Sequence, residues 1–334
     1  MNPTGTLLLS RGDVATLLDL GDYIEVVENA FRAYAMGETL SLGLLHVDTP
    51  DGEFHIKVGG IKDPRVYCGL KMNGGFFQNQ NRFGLPNIQG TIALFDGENG
   101  YPLAFMDSIE ITINRTGATT AVAAKYLARP DSHIATICGC GNQGRVQLRF
   151  LNEVLPIDTA YAFDLQEGIA ESYAEEMAKD LGIEVTPVDD LAAAVGASDI
   201  CVTCTPSKEY FLEQEWVPAG AFVAAVGADS PGKQEIDPRL MASSAVVVDI
   251  LEQCANVGEL HHAIAAGLMD GDDVHAELGQ IIAGQRPGRT RDDEITLFDA
   301  TGTGLQDAAG AAAAYERAIA GGTGSFFNFF AQSS

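Results

Sequence analysis

The sequence predicts an α/β protein in which a doubly wound parallel sheet is joined to a smaller α+β domain. A Gly-x-Gly-x-x-Gly run from Gly139 to Gly144 stands between an apolar strand-like stretch, 133–138, and a helical pattern, 143–154. Strand-like and helix-like stretches then alternate, which is typical of a parallel sheet. The first third of the chain holds short strand-like runs joined by turns, which favours a mostly antiparallel sheet.

The order of these patterns divides the chain into two domains. Two helical patterns come first, followed by five strand-like runs: 13–20 and 22–36, then 44–48, 53–58, 66–72, 90–96 and 102–107. An Ala-rich helix at 116–129 leads into the glycine run. Later strands and helices alternate at 159–164, 167–181, 184–186, 191–195, 199–204, 221–226, 245–249 and 295–299. A last helix at 305–320 is expected to return to the first domain, so the domains are 1–113 with 305–334, and 114–304.

The glycine run has the spacing of a Rossmann-type dinucleotide-binding turn. Gly139 permits the tight turn, Gly141 lets the backbone approach a pyrophosphate, and Gly144 lets helix and strand pack closely. The helical pattern that begins at Gln143, with Asn142 just before it, offers unpaired N–H groups and the positive end of its dipole to phosphate. This context favours a bound dinucleotide over an empty βα turn.

The choice between the two nicotinamide cofactors depends on Asp164. It ends the apolar run after the glycine helix, 20 residues beyond Gly144. A carboxylate there accepts hydrogen bonds from ribose hydroxyls and repels a 2′-phosphate, so we expect NAD rather than NADP.

Composition excludes several classes of protein. The 334 residues carry 46 acidic and 20 basic side chains, a formal charge of −26. This balance argues against a nucleic-acid partner, which needs a basic surface. No apolar stretch is long enough to span a membrane, and the N-terminus lacks the pattern of a secretion signal. We therefore expect a cytoplasmic protein with a small-molecule substrate.

The six cysteines do not form a convincing metal or disulfide pattern. Cys201 and Cys204 lie in a strand-like run, where an offset of three places side chains on opposite faces. Small buried apolar roles are favoured, and no metal site is predicted. The adjacent His261 and His262 also lack the spacing of a known ligand motif.

Three charged residues lie at positions where a substrate carboxylate or a proton acceptor is expected. Lys71 ends an apolar strand, where a desolvated ammonium could pair with a substrate carboxylate or act catalytically by shifting protons, or it could be a solvated strand-end lysine. Arg115 stands at the start of the Ala-rich helix and could form a two-pronged contact with a carboxylate, or a structural salt bridge. Asp229 follows a strand of the parallel sheet and could accept a proton, or cap a helix.

Other candidates follow strand ends or helix starts in the predicted parallel-sheet domain, where ligands of such sheets bind. The possible cofactor contacts are Thr116, Thr205, Pro206, Ser207, Val226, Gly227 and Asp299, together with Arg115 and Asp229. The possible substrate contacts are Thr301 and Gly302.

Together these stretches resemble the ornithine cyclodeaminase/μ-crystallin family. The matching elements appear in family order between about residues 55 and 310: Gly69-Leu70-Lys71, Arg115-Thr116-Gly117-Ala118, the Gly139–Gly144 loop, Val226-Gly227-Ala228-Asp229, Glu235-Ile236-Asp237, Gly258-Glu259-Leu260, Phe298-Asp299, Thr301-Gly302 and Gln306-Asp307. The resemblance implies a central NAD-binding domain and a substrate-binding and dimerisation domain built from both ends of the chain. It also implies that Lys71 and Arg115 hold the substrate carboxylate and that Asp229 is the acid/base.

One departure from the family pattern concerns the substrate. Family members often carry an arginine on an early strand, and ornithine cyclodeaminases have a glutamate for the distal amine. Here the arginine is missing and Lys57 stands near the place of the glutamate. Because a lysine repels an ammonium group, the pattern favours an anionic substrate, although Glu53 or Asp48 could still serve an amine.

Three functions are compatible with the sequence. The first is an NAD(H)-dependent amino acid dehydrogenase or imine (ketimine) reductase that moves hydride between the substrate Cα and nicotinamide, and a homodimer of this chain is expected. The second is an ornithine cyclodeaminase-type ammonia lyase that recycles its NAD internally. The third is a non-catalytic protein that binds nicotinamide cofactor and a small ligand. A convergent set of charges in a cleft, here Lys71, Arg115 and Asp229, favours turnover over binding alone.

Overall fold

The computed structural model describes residues 5–62 and 65–329, and these residues form two compact units. The first unit combines the N-terminal part of the chain up to Arg115 with the C-terminal part from Thr303, and the second runs from Thr116 to Gly302. The ends of the predicted first domain, 1–4 and 330–334, lie outside the described residues. No helix in the described ranges is long and apolar enough to cross a membrane.

The first unit is built on a seven-stranded sheet in the order β15-β1-β6-β5-β4-β3-β2. All neighbouring strands are antiparallel except β1 and β6, which run parallel. Its strands are β1 (Thr6–Leu9), β2 (Gly43–Thr49), β3 (Gly52–Ile61), β4 (Tyr67–Gly75), β5 (Ile88–Asp96), β6 (Pro102–Asp107) and β15 (Ser325–Phe327). Its helices are α1 (Arg11–Val14), α2 (Leu20–Ala35), α3 (Asn79–Phe83), the first turns of α4 (Ile109–Leu127), and α12 (Gly304–Gly321).

Helix α12 packs on this sheet at very close range because two strands present glycines to it. A Cβ on Gly59 would lie 2.5 Å from the carbonyl carbon of Gly304, and one on Gly69 would lie 2.8 Å from Cα of Ala308. The alanine-rich helix is buried along this contact. Any larger side chain at either glycine would push the helix off the sheet, so the glycines fix the height of α12 above β3 and β4.

The second unit is a wholly parallel eight-stranded sheet in the order β13-β12-β14-β11-β10-β7-β8-β9. Its strands are β7 (Ile134–Cys138), β8 (Thr159–Phe163), β9 (Glu184–Pro187), β10 (Ile200–Thr203), β11 (Phe222–Ala225), β12 (Ala245–Val248), β13 (Ala276–Glu277) and β14 (Thr296–Asp299). Its helices are the rest of α4, α5 (Asn142–Val154), α6 (Ile169–Leu181), α7 (Leu191–Gly196), α8 (Pro238–Ser243), α9 (Leu251–Val257), α10 (Glu259–Ala265) and α11 (Leu278–Ile282).

The strand order confirms the predicted doubly wound fold. The chain winds from β7 outward to β9 in one direction and then from β10 outward in the other, so the order reverses between β7 and β10. In sheets of this kind the ligand binds at the carboxyl ends of the strands beside such a reversal. The glycine run follows β7 directly and therefore lies at this point.

Two predicted helices were wrong at their boundaries. The stretch 13–20 is not one helix: α1 ends at Val14, and Asp19 caps a new helix, α2, through a hydrogen bond from the Asp22 N–H. The Ala-rich helix begins at Ile109 rather than residue 116, so Arg115 lies inside α4 and not at its start. The β-branched residues 111–113 are weak helix formers, but Ile111 is fully buried and its packing outweighs that preference.

Candidate functional site

The glycine turn of the second unit has a distinct steric requirement at each glycine. Gly139 has a φ of +99°, which L residues rarely adopt. A Cβ on Gly144 would lie 2.2 Å from the Gly139 carbonyl oxygen, so the first turn of α5 packs directly on the loop. A Cβ on Gly141 would meet nothing within 4 Å. The protein itself therefore does not explain the glycine at 141, whereas a pyrophosphate that approaches the backbone would.

The start of helix α5 is suited to an anion. The N-cap residue is Gly141, and no described side chain caps the helix. The N–H groups of its first turn, at Asn142, Gln143 and Gly144, are the groups that lack an intrahelical partner at any helix start. Backbone donors and the helix dipole together favour phosphate at this end.

Asp164 lies one residue beyond β8 and braces the glycine turn. One carboxylate oxygen accepts the Cys140 N–H at 2.9 Å, and the other accepts the Gln166 N–H at 2.9 Å. The side chain is partly exposed, so these contacts leave acceptor capacity for ribose hydroxyls. The ribose role of Asp164 stays a prediction, with a structural role now added to it.

The loops that follow β10 and β11 are joined by a buried carboxylate that the sequence reasoning gave no role. Glu235 accepts hydrogen bonds from the Thr205 N–H at 2.6 Å and the Gly227 N–H at 2.9 Å. The hydroxyls of Thr203 and Thr205 donate to the same carboxylate at 2.8 and 2.7 Å. Glu235 thereby fixes the backbone at two predicted cofactor contacts.

Burial raises the pKa of the Glu235 carboxyl, and these hydrogen bonds act against that rise. A second buried carboxylate, Glu259, supports it by accepting the backbone N–H groups of Glu235 and Ile236 at 2.7 and 3.2 Å. Burial, followed by the charges of Glu235 and Asp299, raises the pKa of Glu259 well above its usual value. The loops that follow β10 and β11 are thus supported by buried, hydrogen-bonded acidic side chains.

The remaining predicted residues beside this sheet have partners inside the same unit. The Asp229 carboxylate lies 2.6 Å from Nζ of Lys233 and is about one third exposed. The backbone N–H groups of Thr301 and Gly302 donate to the Asp249 carboxylate at 2.9 and 2.8 Å. Because both N–H groups already donate to Asp249, a substrate could accept hydrogen bonds from them only if Asp249 were displaced.

Asp299 is fully buried, and one of its oxygens accepts the Leu260 N–H at 2.9 Å. Burial raises its pKa to about 7. The predicted loop residues Pro206 and Ser207 follow Thr205, and the Ser207 N–H donates to the Thr205 hydroxyl at 3.2 Å. Val226 continues the sheet, since its N–H donates to the Thr203 carbonyl at 2.9 Å.

The first unit contains a buried cluster of cations around one carboxylate. Lys71 Nζ lies 2.7 Å from Oδ2 of Asp307, and Arg115 Nε lies 3.0 Å from Oδ1 of the same residue. Lys57 lies directly opposite Lys71 on the neighbouring strand, so both side chains leave the same face of the sheet. Lys57, Lys71, Arg115 and Asp307 are each no more than 5% exposed. We refer to these four residues as the cation cluster.

The packing of α12 explains how Asp307 reaches this cluster. Gly69 stands two residues before Lys71 on the same face of β4, and its lack of a side chain lets α12 approach at Ala308, the neighbour of Asp307. Asp307 belongs to the sequence pattern that resembles the family, but that pattern alone gave it no role in the site. A buried acidic residue in the first turn of an alanine-rich helix is the signal that could have found it.

The electrostatics of the cation cluster point to Lys71 as a proton-exchanging group. Burial lowers its pKa to about 7; Asp307 acts against this shift, and the charges of Arg115 and Lys57 add to it. Burial alone would raise the pKa of Asp307, but Lys71, Arg115 and Lys57 together hold it below its usual value. The site therefore contains an ionised carboxylate, fixed positive charge, and an amine that titrates near neutral pH.

The cysteines have no partner in a disulfide. Cys138, Cys140, Cys201 and Cys254 are buried, and burial is the largest cause that raises the pKa of the Cys140 and Cys254 thiols. The Cys140 and Cys254 thiols are therefore protonated at neutral pH, and they act as small apolar groups.

Comparison with known proteins places nearly the whole chain in one family. The sequence profile described as the ornithine cyclodeaminase/mu-crystallin family matches residues 5–322. An alanine dehydrogenase of Archaeoglobus fulgidus is 37% identical over 97% of this chain and 99% of its own length. An iminosuccinate reductase of Paracoccus denitrificans is 33% identical over 93% of this chain and 96% of its own.

Solved structures agree with this grouping. An archaeal alanine dehydrogenase dimer with bound NAD superposes with a TM-score of 0.93 at 36% identity, and the match covers 98% of this chain and 100% of that one. A Δ1-pyrroline-2-carboxylate reductase of Thermococcus litoralis, in complex with NADH and L-proline, gives a TM-score of 0.90 at 35% identity, with 96% and 99% of the two chains covered.

Proposed function

Because this chain belongs to the ornithine cyclodeaminase/mu-crystallin family, we propose that it is an NAD(H)-dependent amino acid dehydrogenase or imine reductase. The observation that carries the proposal is the glycine turn, in which Gly141 leaves open space before an uncapped helix start. This arrangement fits a pyrophosphate, and Asp164 at the end of β8 fits an unphosphorylated ribose. Bound NAD supplies the hydride acceptor, and NADH the hydride donor.

We assign the substrate carboxylate to Lys71 and Arg115. Both are buried cations whose positions are fixed by Asp307, so a carboxylate oxygen placed between them exchanges water for charge-assisted hydrogen bonds. Fixing the carboxylate also fixes the direction of the Cα–N bond, and such orientation lowers the entropic part of the barrier. The substrate class is therefore α-amino acids and their α-imino counterparts.

The proton that accompanies hydride transfer needs a group that titrates near neutral pH. Lys71 has a pKa of about 7, so it can hold the proton in one direction and release it in the other. The sequence offers both Lys71 and Asp229 for this role, and the Asp229 carboxylate is paired with Lys233 at 2.6 Å. Lys71 is the better supported of the two, and Asp229 is retained as the second candidate.

Lys57 supports a substrate with a second negative group. Its buried ammonium stands opposite Lys71, and its charge is one of the causes that lower the pKa of Lys71. A second carboxylate would offset that charge, whereas the distal ammonium of ornithine would add to it. The curated relative that reduces iminosuccinate, a dicarboxylate, is consistent with this choice.

The test is a panel of reactions followed by NADH absorbance. Oxaloacetate with ammonia, pyruvate with ammonia, and pyruvate with methylamine are offered with NADH, and the corresponding amino acids are offered with NAD. We expect NADH oxidation with the dicarboxylic substrate to be fastest. Ammonia release from ornithine without net NADH would instead identify a cyclodeaminase, and NAD binding without turnover of any compound would identify a binding protein.

We also propose that the chain forms a homodimer through the sheet face opposite to α12. Strand alternation places a set of exposed apolar side chains on this face: Leu8, Leu45, Val47, Leu70 and Met72, each 37–57% exposed. Apolar patches of this kind mark association surfaces. The similar archaeal alanine dehydrogenase is a dimer. Light scattering on the purified chain tests the proposal, and Leu45→Asp with Met72→Asp should give monomers.

A further inference from the structure

Two histidines and a glutamate meet across the hairpin formed by β2 and β3. His46 on β2 lies directly opposite His55 on β3, so both rings leave the same face of the sheet. Glu53 lies two residues before His55 and therefore points to that face as well. We refer to His46, Glu53 and His55 as the hairpin cluster. These ligands come from two paired strands and share no short motif, so no local pattern in the sequence predicts a metal site here.

The ligand atoms of the hairpin cluster are already close together. Nε2 of His46 lies 3.1 Å from Oε2 of Glu53, and Nε2 of His55 lies 3.1 Å from Oε1 of Glu53. One ligand atom from each of the three residues falls within 4.8 Å of the others. Tetrahedral ligand atoms that lie about 2.0–2.1 Å from Zn²⁺ are roughly 3.4 Å from one another. The two separations between the histidines and Glu53 nearly match this value, and the separation between the two histidine nitrogens needs a small side-chain rotation.

Burial and access also suit an ion. The side chains of His55, Glu53 and His46 are 12%, 25% and 30% exposed, which makes the cluster half-buried but open on the His46 side. On that side, Oδ1 of the exposed Asp48 lies 3.2 Å from Nε2 of His46. An ion can therefore enter from solvent, and Asp48 or water can complete its coordination.

We propose that His46, Glu53 and His55 bind one divalent transition-metal ion of the Zn²⁺ class. Two imidazole nitrogens and a carboxylate favour Zn²⁺, Co²⁺, Ni²⁺ or Fe²⁺ over Mg²⁺ and Ca²⁺, which take oxygen ligands. Three protein ligands also leave a coordination position open. Both imidazole Nε2 atoms already lie 3.1 Å from the Glu53 carboxylate without an ion, so little reorganisation is needed when one binds.

The bound ion would place further positive charge beside the cation cluster. Lys57 follows His55 by two residues on the same strand and the same face, and Asn73 lies opposite His55 beside Lys71. An open coordination position there would take an oxygen of an anionic ligand. The binding of the ion does not rest on the proposed NAD-dependent activity, so failure of one leaves the other standing.

The experiment measures metal binding directly on the untagged full-length chain after dialysis against a chelator. Zn²⁺ titration by calorimetry and visible absorption of bound Co²⁺ are the two readouts. We expect one ion per chain in the wild type, and an affinity at least about 100-fold weaker in His46→Ala and His55→Ala, because loss even of an outer partner costs about 10–100-fold. Glu53→Gln, which preserves the shape of the cluster, should weaken binding to a lesser degree.

His133→Ala is the matched control, because His133 also lies beside a carboxylate, Asp158, at 3.4 Å, but on the surface of the other unit. It should bind Zn²⁺ as the wild type does. Thermal unfolding and NAD binding of each variant identify any that misfold. Absence of stoichiometric Zn²⁺ binding by the wild type overturns the proposal, as does binding that survives both His46→Ala and His55→Ala. Loss of binding on replacing His262, whose ring stacks edge-on with His261, would move the site there.

Discussion

Replacing Gly141 with alanine should separate cofactor binding from fold stability. The residue has a φ of −79°, which alanine adopts without strain, and an added Cβ meets no atom within 4 Å. Alanine at this N-cap costs about 0.5–1 kcal/mol. A methyl group between the backbone and the pyrophosphate would remove about one charge-assisted hydrogen bond, worth about 1.5–3 kcal/mol. The dissociation constant of NAD should therefore rise about 10- to 150-fold.

Gly144→Ala gives the opposite pattern and completes the comparison. Its Cβ would lie 2.2 Å from the Gly139 carbonyl oxygen, so the backbone must shift in the absence of any cofactor. Such overpacking lowers the free energy of unfolding by about 1–3 kcal/mol. Urea unfolding of the free chain and calorimetric NAD titration measure the two quantities. The reasoning is refuted if Gly141→Ala binds NAD with wild-type affinity, or if it destabilises the free chain more than Gly144→Ala does.

Three further predictions concern the charged residues. Lys71 binds a carboxylate only when it is protonated, and its pKa is about 7, so the affinity for an unreactive carboxylate should fall as the pH rises through about 7. Lys71→Arg should remove this fall. A wild-type affinity that does not change with pH in equilibrium binding would contradict the prediction. Lys57→Glu should raise KM for a dicarboxylic substrate more than for a monocarboxylic one, and equal changes in steady-state assays would count against the second-carboxylate role. Asp164→Arg should shift the ratio of the kcat/KM values from NAD toward NADP. It should also lower Tm, because the Cys140 N–H loses its acceptor. An unchanged ratio would remove the ribose role of Asp164.

The elements that we propose to bind the cofactor could be predicted from the sequence because their causes are local. The glycine run needs only a turn, a helix start and a close approach, and each requirement is met by one residue within a six-residue window. The parallel sheet also follows from the regular alternation of strands and helices. These patterns repeat the same physical requirement along the chain, so they predict the doubly wound fold well.

The site residues that the sequence reasoning missed are fixed by distant parts of the chain. Asp307 reaches Lys71 only because Gly69 lets α12 approach β4, and this contact joins residues far apart in sequence. Glu235 likewise braces Thr205 and Gly227 from a third loop. Arg115 was misplaced at a helix start because β-branched residues before it lower local helix propensity, while the packing that stabilises them is tertiary.

The most direct test of the account is to follow the transferred hydrogen. The chain is incubated with NADH that carries deuterium on the transferable side of nicotinamide C4, together with oxaloacetate and ammonia, and the amino acid product is analysed by mass spectrometry. The account predicts deuterium at Cα in step with NADH oxidation. Product without deuterium, or ammonia released from ornithine while NADH stays constant, would contradict it.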